Sequence, residues 1–250
     1  MNLPTGFLSV SQVRTYLRCP RQYEYIYINK MRPPVTCSLL LGRAFHKAIE
    51  EANRAKMETG EILSNDDVKD AFSQMWDREK AEVEWEEGED QDQLKDHGLA
   101  MTSHYYEQVG QKLRPLMIEQ GTTVDIEGVP VKVVIDLVER DGKIRDFKTA
   151  KRTPAKDEAD RSIQLSTYAM AYREMTGEHE SGAALDYTVS LKGGPKITQL
   201  ETQIDDARLE RTKALIKGVA QAISSGMFYP VEEGFSCSFC SFRDLCKGGK

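Results

Sequence analysis

Along the middle of the chain apolar residues alternate with polar ones at a period of two; on both sides they return every three to four positions. Strands are therefore expected in the centre and amphipathic helices around them. The stretch VKVVIDLVERDGKIRDFKTA, from Val131 to Ala150, gives two β-branched runs joined at Asp141-Gly142, a strong hairpin signal. Strands are expected at about 122–127, 131–139 and 143–149, with two more near 183–191 and 197–204 split by Gly193-Gly194-Pro195. A helix starts at Ser9, with Gln12 completing a capping-box pattern. A second covers LLLGRAFHKAIEEANRAK, and residues 66–119 read as helical with a break near Gly88. There Leu99, Tyr105, Tyr106, Val109, Leu113 and Leu116 would face the core. Further helices are expected near 161–176 and 205–225, the last ended by Gly226. The pattern is that of an α/β protein with one domain: a mainly helical region (1–120), a sheet core (121–204), and a C-terminal helix and tail (205–250).

Three ionisable residues, Asp136, Asp146 and Lys148, occupy positions where a sheet is ordinarily apolar. Strand side chains alternate, so Asp146 and Lys148 share a face and Phe147 takes the other. A two-residue loop at Asp141-Gly142 would set Asp136 opposite Phe147; a three-residue loop, Arg140 to Gly142, sets it opposite Asp146. Gly142 suits the left-handed third position of the longer loop, which is the one expected. Two facing carboxylates repel unless a cation lies between them, and a hard divalent cation with oxygen ligands fits. The same residues could also be solvated on an open sheet face, so the remainder of the chain has to decide.

Elsewhere, Gly42, His46 and Glu50 recur every four residues and line one helix face, and the glycine permits a close backbone approach. Gln164 and Tyr168 stand one turn apart on another helix. His97 and His104 read as surface residues. Near the N-terminus, Arg14, Arg18 and Arg21 interleave with Tyr16, Tyr23, Tyr25 and Tyr27. Cations mixed with aromatics suit a single-stranded nucleic acid, whose phosphates and bases they would contact. Tyrosines packed in the core and solvated arginines fit the pattern equally.

Charge changes the picture little. The chain of 250 residues carries a net charge of −6, but residues 77–92 alone hold −7, which leaves the remainder at +1. That acidic stretch reads as a solvated face or mobile loop, and a local basic groove matters more than the sum. No apolar run reaches membrane-spanning length and no secretory signal is visible, so a reducing, cytoplasmic location is the default reading. In that setting five cysteines argue for metal or reactivity rather than disulfides. Cys237, Cys240 and Cys246 supply three soft ligands within ten residues, Cys19 is the candidate fourth, and Cys37 is the spare. Four thiolates suit zinc or an iron–sulfur cluster; a single close pair, with Phe239 and Phe242 as shields, favours iron–sulfur.

Gly42-x3-His46-x3-Glu50, Asp136, Asp146-Phe147-Lys148 and Gln164-x3-Tyr168, in this order and beside the cysteines, resemble the RecB/AddB-type branch of the PD-(D/E)XK nuclease superfamily, in particular its iron–sulfur members such as the CRISPR-associated Cas-four-like exonucleases. The resemblance spans Ser9 to Cys246 and leaves 77–92 unmatched; Asp146 stands where many relatives have Glu. It implies a restriction-endonuclease-like core. It further implies that His46, Asp136, Asp146 and the Phe147 carbonyl bind Mg²⁺ or Mn²⁺. Lys148 would position or deprotonate water, and Gln164 and Tyr168 would hold the substrate strand or the water. Glu50 would stand behind the ligands. Cys19, Cys237, Cys240 and Cys246 would hold a 4Fe-4S cluster, with zinc as the alternative. The activity implied is a DNA exonuclease on single-stranded or free ends, 5′→3′, in recombination, repair or CRISPR adaptation with partner proteins. A DNA-binding or assembly subunit with a vestigial site is the competing function.

Overall fold

The computed structural model describes residues 3–232 and 235–248. A short strand, β1 (Leu8–Ser9), runs into α1 (Val10–Arg18) and α2 (Pro20–Tyr23). The Ser9 hydroxyl accepts the Gln12 N–H at 3.2 Å, the expected cap. The Gln12 side chain does not return to Ser9; it meets the Thr5 hydroxyl at 3.4 Å. Three helices follow: α3 (Cys37–Thr59), α4 (Asn65–Glu79) and α5 (Gln91–Gln108). Thr36 caps α3, and Gly60, left-handed at φ 76°, ends it.

The helical reading of 66–119 runs too far. The chain leaves α5 at Val109, and β2 (Pro115–Ile126) begins seven residues before the strand expected from the sequence. Two contacts explain the change. Gly110 lies under the Tyr106 ring, where an added Cβ would come within 2.8 Å of it. The Lys56 ammonium then takes the carbonyls of Gly110, Gln111 and Leu113 at 2.8, 3.0 and 3.1 Å, fixing a turn in place of further helix. Leu113 is buried, but Leu116 sits exposed in the new strand. The acidic stretch is also less free than expected. Val83 is buried and pairs with Val35, Trp85 packs on Trp76, and Glu89 accepts the Cys37 thiol at 2.9 Å.

The remaining elements follow in the expected order: β3 (Val129–Glu139), β4 (Lys143–Ala150), α6 (Ile163–Thr176), β5 (Gly182–Leu191), β6 (Gly194–Thr202) and α7 (Asp206–Ser224); a short α8 (Arg243–Cys246) in the tail was not expected. They build one mixed sheet in the order β1-β3-β4-β5-β6, with β2 antiparallel along the other edge of β3. β1 is parallel to β3 and β4 to β5; the β3–β4 and β5–β6 pairs are antiparallel. One apolar core gathers α1, α6 and α7 against the sheet, and a second gathers α3, α4 and α5. Helices thus cover both sides of the sheet, as in a restriction-endonuclease-like α/β fold. Among the described residues no helix is long and apolar enough to cross a membrane.

Candidate metal centre and active site

Leu137 pairs with Arg145 and Val138 with Ile144. That register makes Arg140–Gly142 a three-residue loop, with Gly142 left-handed at φ 83°, and sets Asp136 opposite Asp146. Backbone pairing between β3 and β4 stops there, and the strands part. The freed Phe147 N–H donates to the Asp136 carboxylate at 3.1 Å instead. The other Asp136 oxygen accepts the Tyr168 hydroxyl at 2.9 Å. The Gln164 amide donates to Tyr168 Oη at 2.8 Å, and the Gln164 carbonyl accepts Lys148 Nζ at 3.2 Å. Lys148 Nζ lies 2.6 Å from Asp146 Oδ2, which completes a chain of five side chains from β3, β4 and α6. Helical spacing on α6 and strand alternation on β4 are what bring these groups to one side.

From the opposite direction α3 delivers His46. Its Nε2 lies 2.7 Å from the Phe147 carbonyl oxygen, and its Nδ1 lies 3.5 Å from Asp136 Oδ2. Glu50, one turn on, is held by Lys47 and Arg54 at 3.1 and 2.9 Å. Gly42 faces Thr149 on β4, but an added Cβ would make an ordinary 3.5 Å contact, so packing does not demand the glycine.

The sequence reading missed Glu119. Its flanking residues pair as Ile118 with Leu137 and Gln120 with Ile135, so Glu119 stands across β2 from Asp136. Among the described residues, His46, Glu119 and Asp136 bring one ligand atom each within 4.8 Å of one another. Asp146 lies outside that tight set, although it was expected among the ligands; its carboxylate is drawn to Lys148. A signal for Glu119 existed: a lone acid seventeen residues before Asp136, which becomes a cross-strand neighbour once β2 is extended back to Pro115.

The electrostatics call for a cation. Asp146 is wholly buried and neither of its oxygens has a hydrogen bond; the 2.6 Å approach of Lys148 is an ion-pair contact with poor bonding angles. Burial and then the Asp136 charge raise the Asp146 pKa, and Lys148 only partly offsets them. Burial, with Asp136 and Glu50 nearby, pushes Glu119 up to about 7. Tyr168 is raised far above the usual phenol range, by burial first and by both aspartates next, so it stays a donor. Orphaned buried carboxylate oxygens beside an imidazole and a carbonyl form an oxygen-rich donor set, which suits Mg²⁺ or Mn²⁺ better than a soft metal.

Residues 7–247 match the PD-(D/E)XK nuclease superfamily. The chain belongs to that superfamily. This nuclease is 26% identical to the Gene 69 protein of Mycobacterium phage D29 and 25% identical to that of phage L5, over 95% of both chains in each case. Its fold is similar to the crystal structure of a “putative exonuclease” from Eubacterium rectale, with a TM-score of 0.67 at 14% identity, covering 98% of this chain and 89% of that one. The enzyme is thus a phosphodiester-hydrolysing nuclease of a family that uses divalent metal ions.

The residues expected to touch nucleic acid fare differently. Tyr23 has no exposed surface: it packs against Tyr16, Tyr27 and Phe228 and cannot stack on a base. Arg21 is paired with Glu24 and lines the cysteine cavity. Arg14 and Arg18 stay exposed one turn apart on α1, and Arg14 borders two clefts beside Lys148, Gln164 and Tyr168. His97 is half-buried rather than on the surface, with Nε2 2.6 Å from the Ser190 hydroxyl.

Cys19, Cys237, Cys240 and Cys246 line one cavity between the α1–α2 junction and the C-terminal tail. Phe242 is buried there against Tyr25. Phe239, the second expected shield, is 77% exposed. Cys37 sits apart, buried on α3.

Proposed function

We propose that this nuclease is a divalent-metal-dependent DNase that digests single strands from free ends. One observation carries the reading. The Lys148 ammonium is held between Asp146 and Gln164, beside the gap where β3 and β4 part and where His46, the Phe147 carbonyl and Asp136 converge. His46, Asp136, Asp146 and the Phe147 carbonyl would hold Mg²⁺ or Mn²⁺, with Glu119 as an added carboxylate. Such an ion neutralises phosphate charge and supplies hydroxide at neutral pH. Lys148 would place positive charge where the transition state is most negative. Gln164 and Tyr168 would keep Lys148 and Asp136 in position, and Arg14 with Arg18 would contact strand phosphates. Glu50 stays behind the ligands, neutralised by Lys47 and Arg54.

The four cysteines suit a 4Fe-4S cluster. All four line one cavity, where Phe242 is buried beside them as a shield. There the cluster would tie the N-terminal helices to the tail.

The 5′→3′ polarity rests on the family resemblance. Both curated relatives are phage proteins, which favours a recombination or repair setting over CRISPR adaptation. The test is digestion of 5′- and 3′-labelled single- and double-stranded DNA with Mg²⁺ and Mn²⁺. Processive loss of the 5′ label from single strands is expected. Inertness in both metals, or internal cleavage of closed duplex alone, would contradict the reading. Anaerobically purified protein should be brown, and Cys19→Ser should bleach it; colourless active protein containing zinc would assign the cavity to zinc.

A further inference from the structure

β2 pairs along one edge of β3 from Val129 to Glu139 except at Asp136, but the other edge is interrupted over a longer run. β1 covers it at Val131 and Lys132, and β4 covers it at Leu137 and Val138. Between these points, from Val133 to Asp136, no strand is paired to that edge among the described residues. A cleft of about 270 Å³ occupies the break, lined by Ser9 and Ser11, Arg14, Lys132, Val134, Gln164 and Tyr168 among others, with no carboxylate in its lining.

The break opens directly onto the active site. Asp136 ends it, and Gln164 and Tyr168, already placed beside Asp136 and Lys148, form part of its wall. Alternation puts Lys132 and Val134 on one side of β3, while Val131, Val133 and Ile135 are buried against α1, α6 and α7 on the other. Val134 is 40% exposed, an unusual state for a valine in a central strand. Its cross-strand partner is Gly121, where an added Cβ would meet only Val134 Cγ2, at 4.0 Å. Gly121 is not in the left-handed region, so turn geometry does not call for it. A glycine inside a strand with room above it leaves space for a ligand to lie close to the backbone.

We propose that this break is the track of the single-stranded substrate. The strand would pass over Val134 and Gly121, with Arg14 and Lys132 taking its phosphates, and reach the metal residues at Asp136. Charge selects the occupant: two cations, two serine hydroxyls and no acid suit a phosphodiester backbone better than a peptide. A second cleft on the far side of Gln164, bordered by Arg14, Lys148 and Arg161, includes Glu158, whose carboxylate accepts the Tyr187 hydroxyl at 2.6 Å. That acid makes it the poorer path. The proposal rests on the nuclease reading and adds to it the direction from which substrate arrives.

The test measures anisotropy of a fluorescein-labelled single-stranded oligonucleotide with the intact protein in EDTA, over a range of salt. Lys132→Glu should weaken binding at least tenfold and make the slope of log K against log salt shallower by about 0.7, the loss of one single-strand phosphate contact. Lys132→Arg should retain affinity. Gly121→Leu, which raises the floor, should weaken binding without changing that slope. Arg161→Glu and the remote Lys213→Glu should bind as wild type does. Wild-type affinity in both Lys132→Glu and Gly121→Leu, in a preparation that still cleaves DNA with Mn²⁺, overturns the track and leaves the nuclease reading standing. Loss of binding in Arg161→Glu alone moves the track to the other cleft and overturns the proposal equally. If wild type neither binds nor cleaves DNA, the nuclease reading fails first. Concentration-dependent dimerisation abolished by Val134→Lys, with DNA binding intact, would assign the edge to a second copy of the chain and overturn the proposal.

Discussion

Glu119 stands directly across from Asp136, on the opposite side of which lies Asp146, so three neighbouring strands bring carboxylates to facing positions; Glu119 and Asp136 gather with His46, and Asp146 lies outside that tight set. Glu119 reaches its position with its backbone at φ 47°, a region that costs a non-glycine residue about 1–3 kcal/mol. Strain at that position, in a strand otherwise regular from Met117 to Ile126, fits a side chain aimed for a purpose. Glu119→Gln should raise the Mn²⁺ concentration giving half-maximal cleavage at least tenfold, while Tm in EDTA stays the same or rises as a repelling carboxylate is removed. An unchanged metal titration would take Glu119 out of the centre.

Tyr168 would act on the proposed site through Asp136. Its hydroxyl holds one carboxylate oxygen at 2.9 Å and carries the contact on to Gln164. Tyr168→Phe leaves a buried oxygen without its donor, a loss of about 1–3 kcal/mol. Single-turnover cleavage should slow ten- to a hundredfold with the fold intact by circular dichroism. Equal rates for Tyr168→Phe and wild type would mean that Asp136 needs no such support.

Protons and a metal ion would compete at the proposed site. The folded protein raises the pKa of Asp146 and raises that of Glu119 to about 7. Carboxyls with raised values bind protons more tightly folded than unfolded. Their stabilising contribution is therefore fully present below the unfolded value of about 4 and lost as pH rises through the folded one. In EDTA, Tm should fall between pH 5 and pH 8, and the Tm gain from Mn²⁺ should grow over the same interval. A gain as large at pH 5 as at pH 8 would show that these carboxyls do not gate the metal.

On the other face of the sheet, Arg145 is buried between Glu139, at 2.6 Å, and Asp186, at 3.0 Å. Asp186 is wholly buried and also accepts from Tyr105 and Gln199. Arg145→Met strands that carboxylate and should cost about 3–5 kcal/mol in urea unfolding. Arg145→Met combined with Asp186→Leu should recover part of the loss. Additive losses would mean that the two residues do not share an interaction.

The β3–β4 hairpin was legible because two local rules agree on it. Asp141-Gly142 fixes the turn, and the period of two then fixes which side chains face each other. Gln164 and Tyr168 were legible for the same reason on α6. Glu119 was hidden because Leu113 and Leu116 continue the helical spacing of Tyr105, Tyr106 and Val109. What stops the helix is Lys56, more than fifty residues away, and a helical window cannot see it. Tyr23 was misplaced because tyrosines among arginines look alike whether they stack on bases or on Phe228. Fold and side-chain pairing followed from local rules, and the misses depended on distant contacts.

The central claim is that His46, Asp136, Asp146 and Lys148 form one metal-dependent centre for phosphodiester hydrolysis. End-labelled single-stranded DNA incubated with Mn²⁺ and either wild type, Asp146→Ala or Lys148→Ala tests it most directly. Complete digestion by wild type, with no product from either variant at matched fold and concentration, is the predicted result. Digestion at the wild-type rate by either variant would contradict it.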